Sequence, residues 1–192
     1  TKETADLFLV LIIKLLKNTG RCAMVLPDGA LFGEGGAKTR IKEELLTKCN
    51  LHTVIRLPKS VFAPYTSINT NLLFFDKKGQ TKETWFYRLD MPEGIKAFNK
   101  TKPMQLEHFD PVREWWNNRQ EIQEDGFDKA KKYSFEELKT RNFNLDLCGY
   151  PTIENVILEP KELFEQFEQQ KAALETEMSE VITQIKKILG IN

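Results

Sequence analysis

A chain of 192 residues that is 41% hydrophobic and 10% aromatic is long enough for one large domain or two small ones, which excludes disordered and fibrous classes. Lys and Arg number 28 against 28 Asp and Glu, so no global basic field advertises nucleic acid. Neutrality hides a gradient, however: residues 1–90 carry 14 basic and 9 acidic side chains, residues 91–150 carry 10 and 11, and residues 151–192 carry 4 and 8.

Residues 4–17 are apolar on almost every face and stop at Asn18-Thr19-Gly20, where Gly tolerates a left-handed cap. The pattern predicts a helix buried on more than one side. Its apolar run from Leu7 to Ile13 is far short of the roughly 20 residues of a bilayer span. Arg21 to Leu26, closed by Pro27-Asp28-Gly29, reads as a parallel strand covered on both faces. A helix is predicted from Lys38 to Lys48, with Ile41, Leu45, Leu46 and Cys49 inward. An alternating, β-branched strand follows from Leu51 to Leu57. Helix, strand, helix, strand is half of a doubly wound α/β sheet.

After a Ser-, Pro- and Thr-rich loop at 58–68, strands are predicted at 69–75 and 84–89. With no helix between them, they are expected to pair antiparallel. From Met91 the pattern weakens. Pro92, Pro103 and Pro111 punctuate it, a helix is expected near Val112–Gln123, and Ser134-Phe-Glu-Glu resembles a capping box. The expected organisation is a sheet domain over 1–90, a mostly helical adapter over 91–158 and a terminal helix over 159–192. In that helix Phe164, Phe167, Leu174, Met178, Val181, Ile185 and Ile188 follow 3-4 spacing, with only Lys171 breaking the seam. Residues 161–189 would span about 43 Å, and a coiled-coil stripe of that length wants a partner helix.

The catalytic inventory is thin. His52 and His108 stand at no metal-ligand spacing, so no metal site is expected. Gly33-Glu34-Gly35-Gly36 precedes a helix but lacks a P-loop Lys and the Rossmann glycine spacing, and reads as a plain loop. Asp28 stands where doubly wound sheets place their sites, and Pro-Asp-Gly is equally a turn. Cys22, Cys49 and Cys148 are odd in number and set among apolar neighbours, as reduced core cysteines are, which favours a cytoplasmic setting. The chain runs from Thr1 straight into a helical pattern without the order of a signal peptide, and reads as a piece of a longer one.

Leu26-Pro-Asp-Gly-Ala-Leu-Phe-Gly33, Ile55-Arg-Leu-Pro58, Ser60-Val-Phe62, Asn69-Thr-Asn-Leu-Leu-Phe-Phe75, Trp85-Phe-Tyr87 and Arg141-Asn-Phe-Asn-Leu-Asp146 together resemble the modification subunit of type I restriction-modification systems. The resemblance runs through nearly the whole chain. It implies a Rossmann-like DNA methyltransferase that moves a methyl group from S-adenosylmethionine to the exocyclic amine of adenine, beside a specificity subunit and a motor-nuclease restriction subunit. The family's Gly-rich cofactor turn and its Asn-Pro-Pro-Phe/Tyr motif are not in residues 1–192. The expectation is therefore a C-terminal fragment, with no catalytic or cofactor-binding residue of its own and no activity alone. Cutting the sheet before residue 4 is expected to leave an unpaired edge beside Arg21–Leu26, and with it self-association or poor solubility.

By the same resemblance the target-base aromatic follows the next-to-last strand, where Phe62 fits, or is an ordinary buried Phe. Arg56, Lys59, Tyr65, Thr66 and Ser67 are candidates for DNA contact or plain solvated surface. The terminal helix is expected to dock on the specificity subunit, with self-association as its competitor. Two further readings stand beside this one. A non-catalytic helical assembly module does nothing but pair helices, and an independent nucleic-acid binder would show salt-dependent affinity for DNA.

Overall fold

The computed structural model describes residues 3–32, 36–151 and 160–189. The chain forms two units, Thr1–Pro151 and Thr152–Asn192. In the first, helix α1 (Thr4–Leu15) leads to strand β1 (Arg21–Pro27), short helix α2 (Asp28–Phe32), helix α3 (Gly36–Lys48) and strand β2 (Asn50–Arg56). Strands β3 (Thr70–Asp76) and β4 (Glu83–Arg88) follow, then a 3-10 turn at Leu106–Phe109 and helix α4 (Asp110–Asn117). Strands β5 (Ile122–Glu124) and β6 (Phe127–Ser134) and helix α5 (Phe135–Thr140) complete the unit. The result is mixed α/β, with one six-stranded sheet in the order β1-β3-β2-β4-β6-β5. Among the described residues only β2 and β4 pair in parallel.

The period-2 alternation of the strands sorts their side chains into two cores. Leu73 and Phe75 of β3, Phe86 of β4 and Tyr133 of β6 face one way, under α1, α3 and the segment Phe143–Cys148. Leu72, Phe74, Trp85, Tyr87 and Ala130 face the other way, against Val112, Trp115 and Trp116 of α4. Polar groups close the ends. Lys77 Nζ donates to Ile13 O at 2.8 Å and Leu16 O at 3.0 Å, satisfying the carbonyls that α1 leaves open at its C-terminus. The Ser134 capping box forms as its sequence predicts: Ser134 N donates to Glu137 Oε2 at 2.7 Å, and Glu137 N donates to Ser134 Oγ at 3.3 Å.

Four expectations are corrected. β3 and β4, though consecutive, do not pair. β3 fills the slot between β1 and β2, antiparallel to both, and β4 lies beyond β2. Apolar residues on both faces of β3 suit that interior place. The connection after it is stitched to β2 by Thr81, whose hydroxyl donates to Cys49 O at 2.8 Å and accepts from Leu51 N at 2.9 Å. β1 is an end strand and is not covered on both faces: Leu26 is buried, but Arg21, Ala23 and Val25 are exposed. α1 buries one stripe, Asp6, Leu9 and Ile13, while Leu7, Phe8, Leu11 and Leu15 face outward. The adapter is not mostly helical, because α4 stops at Asn117 and β5 and β6 extend the sheet.

The second unit contains helix α6 (Pro160–Leu189), 30 residues long. Phe164, Phe167, Leu174, Met178 and Val181 are exposed along it, while the side chains of Ile185 and Ile188 lie outside the described residues. Among the described residues no helix is long and apolar enough to cross a membrane.

Candidate functional site

The carboxyl ends of β1, β2 and β4 point to one end of the sheet, where open α/β folds place their sites. The loop between β2 and β3 rises there. Leu57 N donates to Thr70 O at 3.0 Å and closes its neck. Inside it Ala63 N donates to Ser60 O at 3.0 Å, and Tyr65 N to Phe62 O at 2.9 Å. Ser60, at a positive φ of 62°, turns its hydroxyl to accept from Phe98 N at 2.8 Å, which ties the loop to residues that precede α4. The Ala63–Pro64 peptide is cis. This tightly bonded loop holds Phe62 at 40% exposure and Tyr65 at 90%, with Lys59 and Ser67 exposed and Thr66 half-buried.

Arg56 departs from its expected place on the surface. It is 4% exposed, and its guanidinium donates to Asp146 Oδ1 at 2.8 Å, Leu147 O at 3.3 Å and Asp28 Oδ1 at 3.4 Å, over the Phe32 ring. Asp28 also accepts from Asn71 Nδ2 at 2.7 Å. The turn residue and the site residue are thus one: Asp28 opens α2 and anchors the ends of β2 and β3. Asp146 reaches Arg56 because Asn142 and Phe143 adopt left-handed conformations, φ 54° and 56°, and bury Phe143 and Leu145 in the core on either side of Asn144.

A second ionic group continues the row. Arg88 Nε donates to Asp90 Oδ1 at 2.7 Å and Nη1 to Gly149 O at 3.1 Å. Lys129 Nζ bridges Asp90 at 2.9 Å and Glu124 at 2.6 Å. Burial alone would lower the Lys129 pKa, but these two carboxylates raise it. Tyr150 donates its hydroxyl to Leu89 O, and burial pushes its phenol up. Burial likewise pushes the Cys148 thiol up to about 12, as suits a packed core cysteine. The charges at this end therefore serve mainly to fix one another. The exposed aromatic and hydroxyl groups of the loop are what face outward.

Among the described residues no group of three or more His, Cys, Asp and Glu side chains is placed to hold a metal ion. Gly33 to Gly35 lie outside the described residues. The sequence reading missed Asn71, Asp146, Arg88 and Tyr150 as partners. The signal available was a pair of arginines, Arg56 and Arg88, each closing an apolar strand and each demanding an acid or carbonyl once buried.

The profile of N-6 DNA methylase matches residues 1–166. The chain is 47% identical over 192 residues to the type I restriction enzyme EcoEI methylase subunit of Escherichia coli, covering 99% of this chain and 38% of that protein. A modification subunit of a putative type I restriction enzyme from Vibrio vulnificus YJ016 aligns over 72% of this chain and 29% of its own, with 49% identity and a TM-score of 0.64. A chain solved in work on complex assembly and conformational transition of the type I R-M system covers 97% and 40%, with 34% identity and a TM-score of 0.69. The chain thus spans about two fifths or less of these relatives. With the profile running from α1 into α6, and with relatives that share both the sequence and the sheet, the chain belongs to the N-6 DNA methylase family and is similar to type I methylase subunits.

Proposed function

We propose that this chain is the C-terminal part of a type I DNA adenine methyltransferase subunit, supplying a wall for the target base and a helix that docks the specificity subunit. The observation that carries the reading is Phe62, an aromatic 40% exposed on a bonded loop at the carboxyl end of the sheet. A base inside a duplex is beyond the reach of a methyl donor, so such enzymes extrude it and stack it on an aromatic face. Lys59, Tyr65, Thr66 and Ser67 surround Phe62 in sequence with the cation and hydroxyl donors that backbone phosphates take. Arg56 enters as the residue that fixes the foot of this loop. The arrangement β1-β3-β2, with one antiparallel strand between two that share a direction, supports reading the sheet as the end of a Rossmann-like methyltransferase sheet.

The parent enzyme would take its methyl group from S-adenosylmethionine. The residues of this chain do not fit that cofactor by themselves. Asp28, Arg56 and Asp146 are engaged with one another, and residues 1–192 contain neither the family's Gly-rich cofactor turn nor Asn-Pro-Pro-Phe/Tyr. On this reading the chain alone transfers no methyl group. It acts in the cytoplasm within a complex that includes DNA, the specificity subunit and, for cleavage, the motor-nuclease subunit. The exposed Phe164, Phe167, Leu174, Met178 and Val181 supply the docking stripe, continued in sequence by Ile185 and Ile188.

The test is Phe62→Ala and Phe62→Trp in the modification subunit that carries this chain, assembled with its specificity subunit. Stacking of a base on an aromatic is worth about 1–3 kcal/mol, so Phe62→Ala should slow methyl transfer to DNA roughly 5- to 150-fold while Phe62→Trp retains most of it. Equal rates for both variants and the parent would remove the base wall. Leu174→Glu with Met178→Glu should abolish assembly on a sizing column, and an intact complex would remove the docking role.

A further inference from the structure

At the opposite end of the sheet, where β2 and β4 begin, lies a cleft of about 450 Å³ lined by Asn50, His52, Lys78, Lys82, Trp85 and Arg119 together with neighbouring loop residues. At a rise of about 3.3 Å per residue, β2 separates it from the Phe62 loop by roughly 20 Å.

Its charge is one-sided. Lys78 and Lys82 are exposed, and neither ammonium group has an ion pair or hydrogen bond among the described residues. The carboxylate of the lining, Glu83, is held by Lys132 at 3.0 Å. Arg119 is half-buried, with its guanidinium 4.4 Å from the Trp116 ring centroid and 5.4 Å from that of Trp115. Among the described residues its one hydrogen bond is a long one, from Nη1 to His52 O at 3.5 Å. A planar cation fixed against two indoles, with most of its N–H groups unmatched, is a preorganised fork for a tetrahedral oxyanion. The surroundings agree: burial lowers the pKa of Arg119, and burial followed by repulsion from Arg119 lowers that of His52. A half-buried cation with no carboxylate paired to it among the described residues is one that an anionic ligand can complete.

We propose that this cleft binds the phosphate of a nucleotide, gripped by the Arg119 fork and covered by Lys78 and Lys82, with the Trp85 ring alongside. The inference stands independently of the Phe62 reading. A free nucleotide and a nucleic-acid strand share this chemistry, and the test separates them.

The three tryptophans of the chain, Trp85, Trp115 and Trp116, all line this cleft or carry its arginine, so under native conditions a ligand there should change the intrinsic fluorescence. The full chain is titrated with ATP, inorganic tripolyphosphate and a short single-stranded oligonucleotide. The expected result is saturable binding of at least one probe, weakened about tenfold or more by Arg119→Gln and by the pair Lys78→Gln and Lys82→Gln. ATP or tripolyphosphate binding with a silent oligonucleotide assigns a free phosphorylated ligand. Oligonucleotide binding that falls steeply with salt assigns a strand. Thermal melts establish that each variant is folded, and the lysine pair, being exposed, keeps the test valid if Arg119→Gln unfolds the chain. No saturable binding of any probe at millimolar concentration overturns the proposal, as does binding that folded Arg119 and lysine-pair variants leave unchanged.

Discussion

Replacing Arg56 by Met removes one charge from the carboxyl end of the sheet while keeping an apolar stem against Phe32. The Arg56 side chain is 5% exposed, so its bonds to Asp146, Leu147 O and Asp28 cannot be replaced by water in place. Deleting one partner of a buried ion pair costs about 3–5 kcal/mol when the survivor stays dry. Asp146, with its side chain 44% exposed, rehydrates. The cost falls on Asp28, 16% exposed, which keeps Asn71 as its remaining donor at 2.7 Å. The net loss is then ~2–3 kcal/mol. Urea unfolding followed by tryptophan fluorescence measures it, because all three tryptophans belong to the first unit. At an m of about 2 kcal/mol/M the midpoint should fall by about 1–1.5 M with m unchanged. Asp28→Asn in the Arg56→Met background should recover part of the loss, with a coupling of at least ~1 kcal/mol in the double-mutant cycle. A loss under ~1 kcal/mol, or strict additivity of the two substitutions, would refute the reasoning: Arg56 would then be buried without holding the strand ends together.

Thiol accessibility offers a second check: burial raises the pKa of all three cysteines, so access decides, and at mildly alkaline pH buried Cys49 and Cys148 should resist a disulfide reagent while half-exposed Cys22 reacts before unfolding. Gly126, at φ 80°, should lose about 1 kcal/mol or more on change to Ala, read as a lower urea midpoint, whereas Asp125→Asn should be tolerated. Hydrogen bonds from Lys131 and Gln123 hold the Asp128 carboxyl below its usual value of 3.8. Because the folded value is the lower one, its stabilising contribution is complete above the unfolded pKa and is lost as pH falls through the folded one. An NMR titration should show Lys131→Ala moving the Asp128 midpoint upward, and an unmoved midpoint would assign the depression elsewhere.

Local pattern was enough to find α1, β1, α3, β2, β3 and β4, because each carries apolar residues at its own period and has its own stop. It was not enough to order them. That β3 enters between β1 and β2 is a property of partners far apart in the chain, and the short connection from Asp76 to Glu83 misled toward a hairpin. The hairpin that does exist was signalled by Asp125-Gly126, both at positive φ, the two-residue turn whose twist matches paired strands. Its second strand hides the period of a sheet because Asp128, Lys129, Lys131 and Lys132 crowd it and Ala130 is its one buried residue. For the site, Phe62 is a candidate only through the family resemblance, which expects an aromatic after the next-to-last strand, and its 40% exposure is what the structure adds. The burial of Arg56 was not legible, since it depends on Asp146, 90 positions away.

The insertion of β3 has a consequence for how the chain is made. Arg21 of β1 pairs with Asp76, and Arg56 of β2 pairs with Asn71, so β1 and β2 both leave the ribosome before the strand that joins them. A nascent chain ending between β2 and β3 carries two aligned strands separated by a strand-wide gap, with Leu51, Val54 and Ile55 awaiting cover. Loop closure must precede any reward from such distant contacts, which slows folding and lengthens the exposure of sticky segments. In this sheet the third strand is the keystone: until Thr70–Asp76 is made, β1 and β2 have nothing between them to hold them in one sheet.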